Sequence, residues 1–341
     1  MFVLFYITLI NLFFNHIPSG APQHMPHCEK AKHISKCLET AILFEVSANK
    51  PGNVNFVVGF EGTRVEHFLA SAVAASASFE EAAKRGIAVS NGKLKISEVG
   101  VGQLMRDCVA DIDAWQKGGN TLLGTVMLFI PMAVAAGMTP MNGNGEFDLV
   151  KLRENMKLAA ESTTAQDAVC LYEAIAIASP SGLNDAPDLS VTDSQSKARL
   201  IKENVSLFKV FKIAEGYDDI CFEWVHNFPI TFDMGYPYLT EQLKTKGKCL
   251  NTAIIHVFLK ILSERPDTFI SRKVGLEKTI PISQDAKNIL QLGGVETPQG
   301  RESILQFDKK LREYGNNYNP GTTADITAAT LALCTLSGYR P

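Results

Sequence analysis

The chain has 341 residues, of which 46% are hydrophobic and 20% charged, as in an ordinary globular protein. The net charge of −3 gives no general attraction to nucleic acid, so we expect no nucleic-acid partner. The seven cysteines are scattered without a C-x-x-C pair, which argues against a zinc site and favours reduced thiols in a cytoplasmic protein.

The N-terminal segment is apolar. Residues 2–14 are almost wholly hydrophobic, but a bilayer span needs about 20 residues, and the basic start of a signal peptide is missing. Three interpretations stay open: an extension created by a misplaced start, an export or membrane-surface signal, and a segment packed on the domain. We expect residues 1–24 to be an extension, residues 25–341 to form the domain, and no stable membrane partner.

The first helices follow from the spacing of apolar residues. That spacing predicts a helix over 29–48, which the Pro-Gly pair at 51–52 ends. A second helix is predicted to begin after Thr63, whose side chain would form a capping box with Glu66, and to run to about Arg85. The many small side chains of this second helix favour close approach by other helices or by a ligand.

The rest of the chain is also predicted to be helical. Further helices are predicted at 98–116, 121–137, 146–160, 164–178, 195–214, 236–245, 249–264, 283–293, 299–315 and 322–338. Segment 86–96, with Asn91-Gly92, indicates a small hairpin, and segment 180–194 is a long loop and a candidate lid. The predicted fold is therefore a single all-α domain.

Polar residues stand where several of these helices begin. The starts near 53, 121, 164 and 322 each lead from glycine, amide or hydroxyl groups into an apolar helix. Helix starts present unpaired N–H groups and a positive dipole end, which suit phosphate. We expect these four starts to face one nucleotide cavity. The alternative is that they are simply well-capped core helices.

Charged residues add candidate chemistry. Lys50 supplies a compact cation for phosphate, unless it is only a solvated residue at a helix stop. Glu61, Arg64, Glu66 and His67 crowd one helix start, although a lone histidine is more often structural than catalytic.

Four segments, taken in order, resemble the triphosphoribosyl-dephospho-CoA synthase family. They are Glu45 with Lys50–Val54, Phe68–Ser71, Gly119–Gly124 and Asn319–Asp325. The resemblance runs from about Cys37 to Leu336. The residues found within these segments are more like those of the archaeal-type branch of the family than those of the bacterial branch. Its loop 55–66 differs, because Asn55 stands where related sequences often have aspartate.

The resemblance implies an all-helical enzyme. Such an enzyme moves the triphosphoribosyl group of ATP to a hydroxyl of dephospho-CoA or a related acceptor and releases adenine. The catalytic candidates are Asp325, Glu66, His67 and Glu45. The nucleotide-binding candidates are Lys50, Gly52, Asn53, Arg64, Asn120, Thr121, Gly124, Thr322 and Thr323. Mg²⁺ is expected, with Asp325 and Glu61 as ligands.

Two other functions fit the same scaffold. One is a nucleotide N-glycosidase or hydrolase that releases adenine without an acceptor. The other is a non-catalytic nucleotide-binding protein. This alternative is favoured because loop 55–66 has fewer acidic residues than the corresponding loop of related sequences. The physiological acceptor, the pathway and the oligomeric state do not follow from the sequence.

Overall fold

The computed structural model describes residues 27–183, 186, 188–245 and 249–341. The predicted extension, residues 1–24, lies outside these described residues. The regular secondary structure of the described residues is helical, with no sheet and only two isolated β-bridges. The predicted all-α fold is confirmed.

Fifteen α-helices follow one another along the described chain. The first eight are α1 (His27–Ser47), α2 (Val65–Ser90), α3 (Val101–Trp115), α4 (Leu123–Met138), α5 (Leu149–Glu161), α6 (Ala165–Ala178), α7 (Ser196–Lys202) and α8 (Leu207–Ala214). The others are α9 (Asp219–Val225), α10 (Tyr236–Lys244), α11 (Leu250–Glu264), α12 (Thr268–Val274), α13 (Leu276–Gln291), α14 (Pro298–Arg312) and α15 (Gly321–Leu336). A π-helix spans Ile230–Gly235, and short 3₁₀ turns span Ile96–Glu98, Gly294–Glu296 and Gly315–Tyr318.

Helices α4 and α15 form the centre of the molecule. Both are buried over nearly their whole length, as expected of helices that are apolar on all sides. The threonines of α15 are compatible with burial because their hydroxyls bond within the helix. Thr327 donates to the carbonyl of Thr323 at 2.7 Å, and Thr330 donates to that of Ile326 at 2.9 Å.

Helices α2 and α4 pack with their backbones in contact. A Cβ on Gly86 would lie 2.0 Å from the carbonyl oxygen of Val134, and one on Gly137 would lie 2.3 Å from that of Ala83. Only glycine fits at these two crossing points. The small residues of α2 therefore serve helix packing, as one of the two sequence interpretations proposed.

Two apolar clusters make up the core, and α11 joins them. Ile254 and Val257 belong to the main cluster around α1, α2, α4 and α15. Phe258 and Leu262 belong to a smaller one formed with α12, α13 and α14. Because one helix contributes to both clusters, the described residues form one helical body rather than two.

Several predicted boundaries were wrong. Helix α2 continues to Ser90, where a hairpin was expected, and a 3₁₀ turn follows. The capping box of α2 joins Arg64 and His67 rather than Thr63 and Glu66. The single helix predicted over 195–214 is two helices, α7 and α8, separated by a turn in which Asn204 has a positive φ of 51°.

No described helix is both long and apolar enough to cross a membrane.

Candidate active site

A cavity of about 820 Å³ lies among the helix ends of the described chain. This volume is within the range of small-molecule sites in proteins. Its walls come from the loop after α1, the start of α4, the second half of α6, the loop that follows α6, helices α8, α9 and α12, and the start of α15. Of the predicted site residues, those that line it are Glu45, Asn53, Asn120, Thr121, Gly124, Thr322 and Asp325.

Asp325 lies on the cavity wall in the first turns of α15. Its Oδ1 accepts a hydrogen bond from the hydroxyl of Thr125 at 2.6 Å. Burial raises the pKa of Asp325 to about 8, and the nearby carboxylates of Glu45 and Asp267 act in the same direction. At neutral pH the side chain is therefore mainly a neutral carboxylic acid.

Gly124 explains how α4 and Asp325 come together. A Cβ at position 124 would lie 2.1 Å from Oδ2 of Asp325, so the carboxyl group occupies the space that a side chain would need. The glycine of the 119–124 segment is thus required by the packing of the carboxyl group against the start of α4.

The loop before α4 is held by side chains on both sides. Asn120 Oδ1 accepts from the backbone N–H of Leu123 at 3.1 Å, and the Thr121 hydroxyl bonds to that of Ser71 at 2.7 Å. Thr63 donates to the carbonyl of Gly118 at 2.7 Å. These contacts place the amide and hydroxyl groups of this loop at the cavity.

A chain of amides forms another part of the wall. The side-chain amide of Asn53 donates to Asn319 Oδ1 at 2.9 Å, and that of Asn319 donates to Asn316 Oδ1 at 3.2 Å. All three residues line the cavity. The loop after α1 is thereby connected to the turn before α15, although the two are far apart in sequence.

Lys50 was predicted to contact phosphate, but the structure places it in a buried ion pair. Its side chain is 0% exposed, and Nζ lies 3.0 Å from Glu45 Oε1. Nζ also donates to the carbonyl oxygens of Glu45 and Ala48, so it satisfies the end of α1. Burial lowers the pKa of Lys50 and raises that of Glu45, while the attraction between them opposes both shifts. A phosphate could reach this ammonium group only if the pair opened.

Other predicted residues lie outside the cavity lining. The side chains of Arg64 and Glu66 are 70% and 64% exposed, and they form an ion pair with 3.7 Å between Nε and Oε2. Glu61 is in an exposed turn, so the structure does not bring it to Asp325. His67 Nδ1 accepts from the backbone N–H of Arg64 at 3.0 Å, which is a capping role. Gly52 packs on helix α14.

The predicted helix starts differ in whether their residues line the cavity. Thr322 lines the cavity, whereas Thr323 turns away and donates from both its backbone N–H and its hydroxyl to Asp267. The start of α6 does not line the cavity. There Asp167 accepts from Gly102, and it is the second half of α6 that lines the cavity instead. The expectation that the start near 164 faces the cavity was wrong, and the residues near 53 line the cavity from a loop rather than from a helix start.

Residues 31–341 match the family described as ATP:dephospho-CoA triphosphoribosyl transferase, CitG. The chain belongs to this family. A relative from Klebsiella pneumoniae, a 2-(5''-triphosphoribosyl)-3'-dephosphocoenzyme-A synthase, is 30% identical over 97 residues, 28% of this chain and 31% of the relative. One assigned the same activity in Pseudomonas savastanoi is 29% identical over 106 residues, 31% of this chain and 35% of the relative.

These alignments span about a third of the length of the curated relatives. A structural similarity covers more of the chain than these sequence alignments do. A structure from Archaeoglobus fulgidus, assigned as a triphosphoribosyl-dephospho-CoA synthase, superposes with a TM-score of 0.60 at 23% identity. The match covers 81% of this chain and 100% of the other.

Several cavity residues of this family member were not predicted from its sequence. Asp218 is the N-cap of α9 and Arg272 lies in α12, and both helices have seven residues, too few to show apolar periodicity. Thr125 is the third residue of α4, and its bond to Asp325 depends on the approach of α15, which the sequence does not show. Segment 180–194, the candidate lid, contributes several cavity-lining residues among its described positions.

Proposed function

We propose that the chain transfers the triphosphoribosyl group of ATP to a hydroxyl of dephospho-CoA and releases adenine. Membership of the family supports this reaction class. The observation that carries the proposal is Asp325, a carboxyl group with a raised pKa on the wall of a cavity large enough for a nucleotide.

The reaction breaks one bond and forms one. The bond between ribose C1′ and N9 of adenine breaks, and adenine leaves with the electron pair. An acceptor hydroxyl forms the new C1′–O bond and loses its proton, while adenine gains one. Positive charge develops on the ribose as the bond to adenine lengthens, as in glycoside hydrolysis.

We assign Asp325 the role of proton donor to adenine. A protonated carboxyl group with a pKa near the working pH suits general acid catalysis. The hydrogen bond from Thr125 fixes its orientation. The Mg²⁺-ligand role that the resemblance implies would require the ionised form, and so would a role in stabilising the positive charge on the ribose.

The cavity offers different surroundings to the two substrates. The amide and hydroxyl groups near Asp325 suit ribose and phosphate. The lining contributed by α6 and α8 is mainly apolar and includes Leu171, Ile175, Val210, Phe211 and Ile213. This apolar lining suits the long chain that extends from the nucleotide part of dephospho-CoA.

Mg²⁺ is proposed only as a companion of ATP. No three His, Cys, Asp or Glu residues in the described part of the chain form a group able to hold a metal. Glu45 is paired with Lys50, and the raised pKa of Asp325 favours its protonated form. These residues do not fit a site built by protein alone, so we propose that the ion enters with the phosphates, which Mg²⁺ often uses as ligands.

Release of adenine tests the proposal. The protein is incubated with ATP and Mg²⁺, with and without dephospho-CoA, and free adenine is measured by chromatography. We expect adenine to appear only when dephospho-CoA is present. Equal release without an acceptor would favour the N-glycosidase or hydrolase, and no release despite measurable ATP binding would favour a nucleotide-binding protein.

A further inference from the structure

The cavity is poor in positive charge. Arg272 is the one lysine or arginine among the described residues that line it. A triphosphate brings several negative charges, which need cationic partners or a metal ion. Since Lys50 is buried against Glu45, the cationic contact expected from the sequence must come from another part of the wall.

Arg272 lies in the last turn of α12, with its side chain 25% exposed. Its guanidinium group contacts the carboxylate of Asp218, which also lines the cavity. Asp218 is itself held in place, because its Oδ1 caps α9 by accepting from the backbone N–H groups of Ile220 and Cys221 at 2.9 and 3.1 Å. Arg272 is thus fixed at the cavity by a carboxylate that cannot easily turn away.

Lys273 follows Arg272 in the last turn of α12. Its Nζ lies 3.7 Å from the centre of the Phe269 ring and donates to the carbonyl of Asn316 at 2.6 Å. Both Phe269 and Asn316 line the cavity. The loop after α6 covers this lysine, since a Cβ on Gly182 would lie 2.9 Å from its Cγ. A second cation is therefore held close behind the wall.

The charge state of Lys273 responds to its surroundings. Burial lowers its pKa, the carboxylate of Asp267 opposes this shift and the charge of Arg272 adds to it, so that the pKa lies at about 8. An anion bound at the wall would favour the charged ammonium form.

We propose that the end of helix α12 is the polyphosphate-binding part of the cavity, with Arg272 in direct contact and Lys273 supplying a second positive charge from behind Phe269. This inference rests on the proposed function, because it assigns part of the same cavity to the triphosphate of ATP. The planar guanidinium group suits phosphate oxygens, since it can donate two parallel hydrogen bonds. Asp218 then holds Arg272 in place and also competes with phosphate for it.

The test is calorimetric titration of the full chain with inorganic tripolyphosphate, with ATP and with adenosine, all at fixed Mg²⁺. In Arg272→Gln we expect the Kd for tripolyphosphate and for ATP to rise at least about tenfold, and the Kd for adenosine to stay within about twofold. The control is Arg265→Gln. Arg265 pairs with the neighbouring Asp219 and stacks on Phe222 but does not line the cavity, so its loss should leave all three values unchanged.

A second variant covers the case in which Arg272→Gln does not fold. Asp218→Asn keeps an oxygen that can cap α9 but removes the competing charge, so tripolyphosphate should bind more tightly. Unchanged tripolyphosphate affinity in a folded Arg272→Gln variant, or in Asp218→Asn where the first does not fold, would overturn the inference.

Failure of the proposed function would look different. A wild-type protein that binds tripolyphosphate through Arg272 but releases no adenine with dephospho-CoA would retain this site and lose the proposed activity. An active wild-type protein whose ATP affinity does not depend on Arg272 or Asp218 would retain the proposed activity and lose this phosphate site.

Discussion

Replacing Asp325 by asparagine is expected to leave the protein folded and to lower turnover at least about a hundredfold, roughly 2.7 kcal/mol of activation free energy. Asparagine has nearly the same shape and can still accept the hydrogen bond from Thr125, but it cannot donate a carboxyl proton. The control is Asp285→Asn, which removes an exposed carboxylate paired with Lys310 and should leave turnover unchanged.

The pH profile identifies the role of Asp325. If the protonated form is active, kcat/KM of the wild type falls as the pH rises through about 8. A rise over the same range would indicate that the carboxylate stabilises the ribosyl cation. Partial rescue of Asp325→Asn by excess Mg²⁺ would indicate a metal ligand. Near-normal turnover in this variant would contradict all three roles.

Stability gives a second readout for the same residue. A carboxyl group whose pKa is raised on folding stabilises the folded state below its unfolded pKa, near 4, and that stabilisation is lost as the pH rises through its folded pKa. The melting temperature of the wild type, relative to that of Asp325→Asn, should therefore fall between about pH 4 and pH 8. A constant difference over this range would contradict the raised pKa.

Replacing Lys50 by alanine is expected to destabilise the protein by about 3–5 kcal/mol, because it leaves the buried carboxylate of Glu45 without its partner and the end of α1 without a donor. Thermal and denaturant unfolding measure the loss. The control is Lys32→Ala, which removes an exposed cation paired with Glu29 and should change stability by less than about 0.5 kcal/mol.

A double variant separates the ion pair from the packing. Glu45→Gln combined with Lys50→Met removes both charges and keeps similar volumes, so it should recover part of the stability lost in Lys50→Ala. If Lys50→Ala instead kept its melting temperature and bound ATP about 1–3 kcal/mol more weakly, Lys50 would be a phosphate contact, as its position in the sequence predicted.

Much of the fold could be predicted because long buried helices leave a clear pattern. The apolar runs at 121–137 and 322–338 correspond to α4 and α15, the central helices. The short helices could not be predicted in the same way. Helices α9 and α12 have seven residues each, fewer than two full periods of the apolar pattern, and they are positioned by contacts with distant segments.

The part of the candidate site that could be predicted is the part where close packing against the backbone restricts which residue can be present. Gly124 and Asp325 stand in recognisable segments because one must make room for the other. The fate of the charged residues was not predictable, since it depends on the folded surroundings. Lys50 and Arg64 look equally suited to phosphate in the sequence, but one is buried in an ion pair and the other is exposed to solvent.

Transfer of the intact group is tested most directly by mass spectrometry. The protein is incubated with Mg²⁺, dephospho-CoA and ATP that carries ¹³C only in its ribose. We expect a product with the mass of dephospho-CoA plus one triphosphoribosyl group, with all of the label in the added ribose. Labelled ribose triphosphate released beside unmodified dephospho-CoA would contradict the proposed transfer.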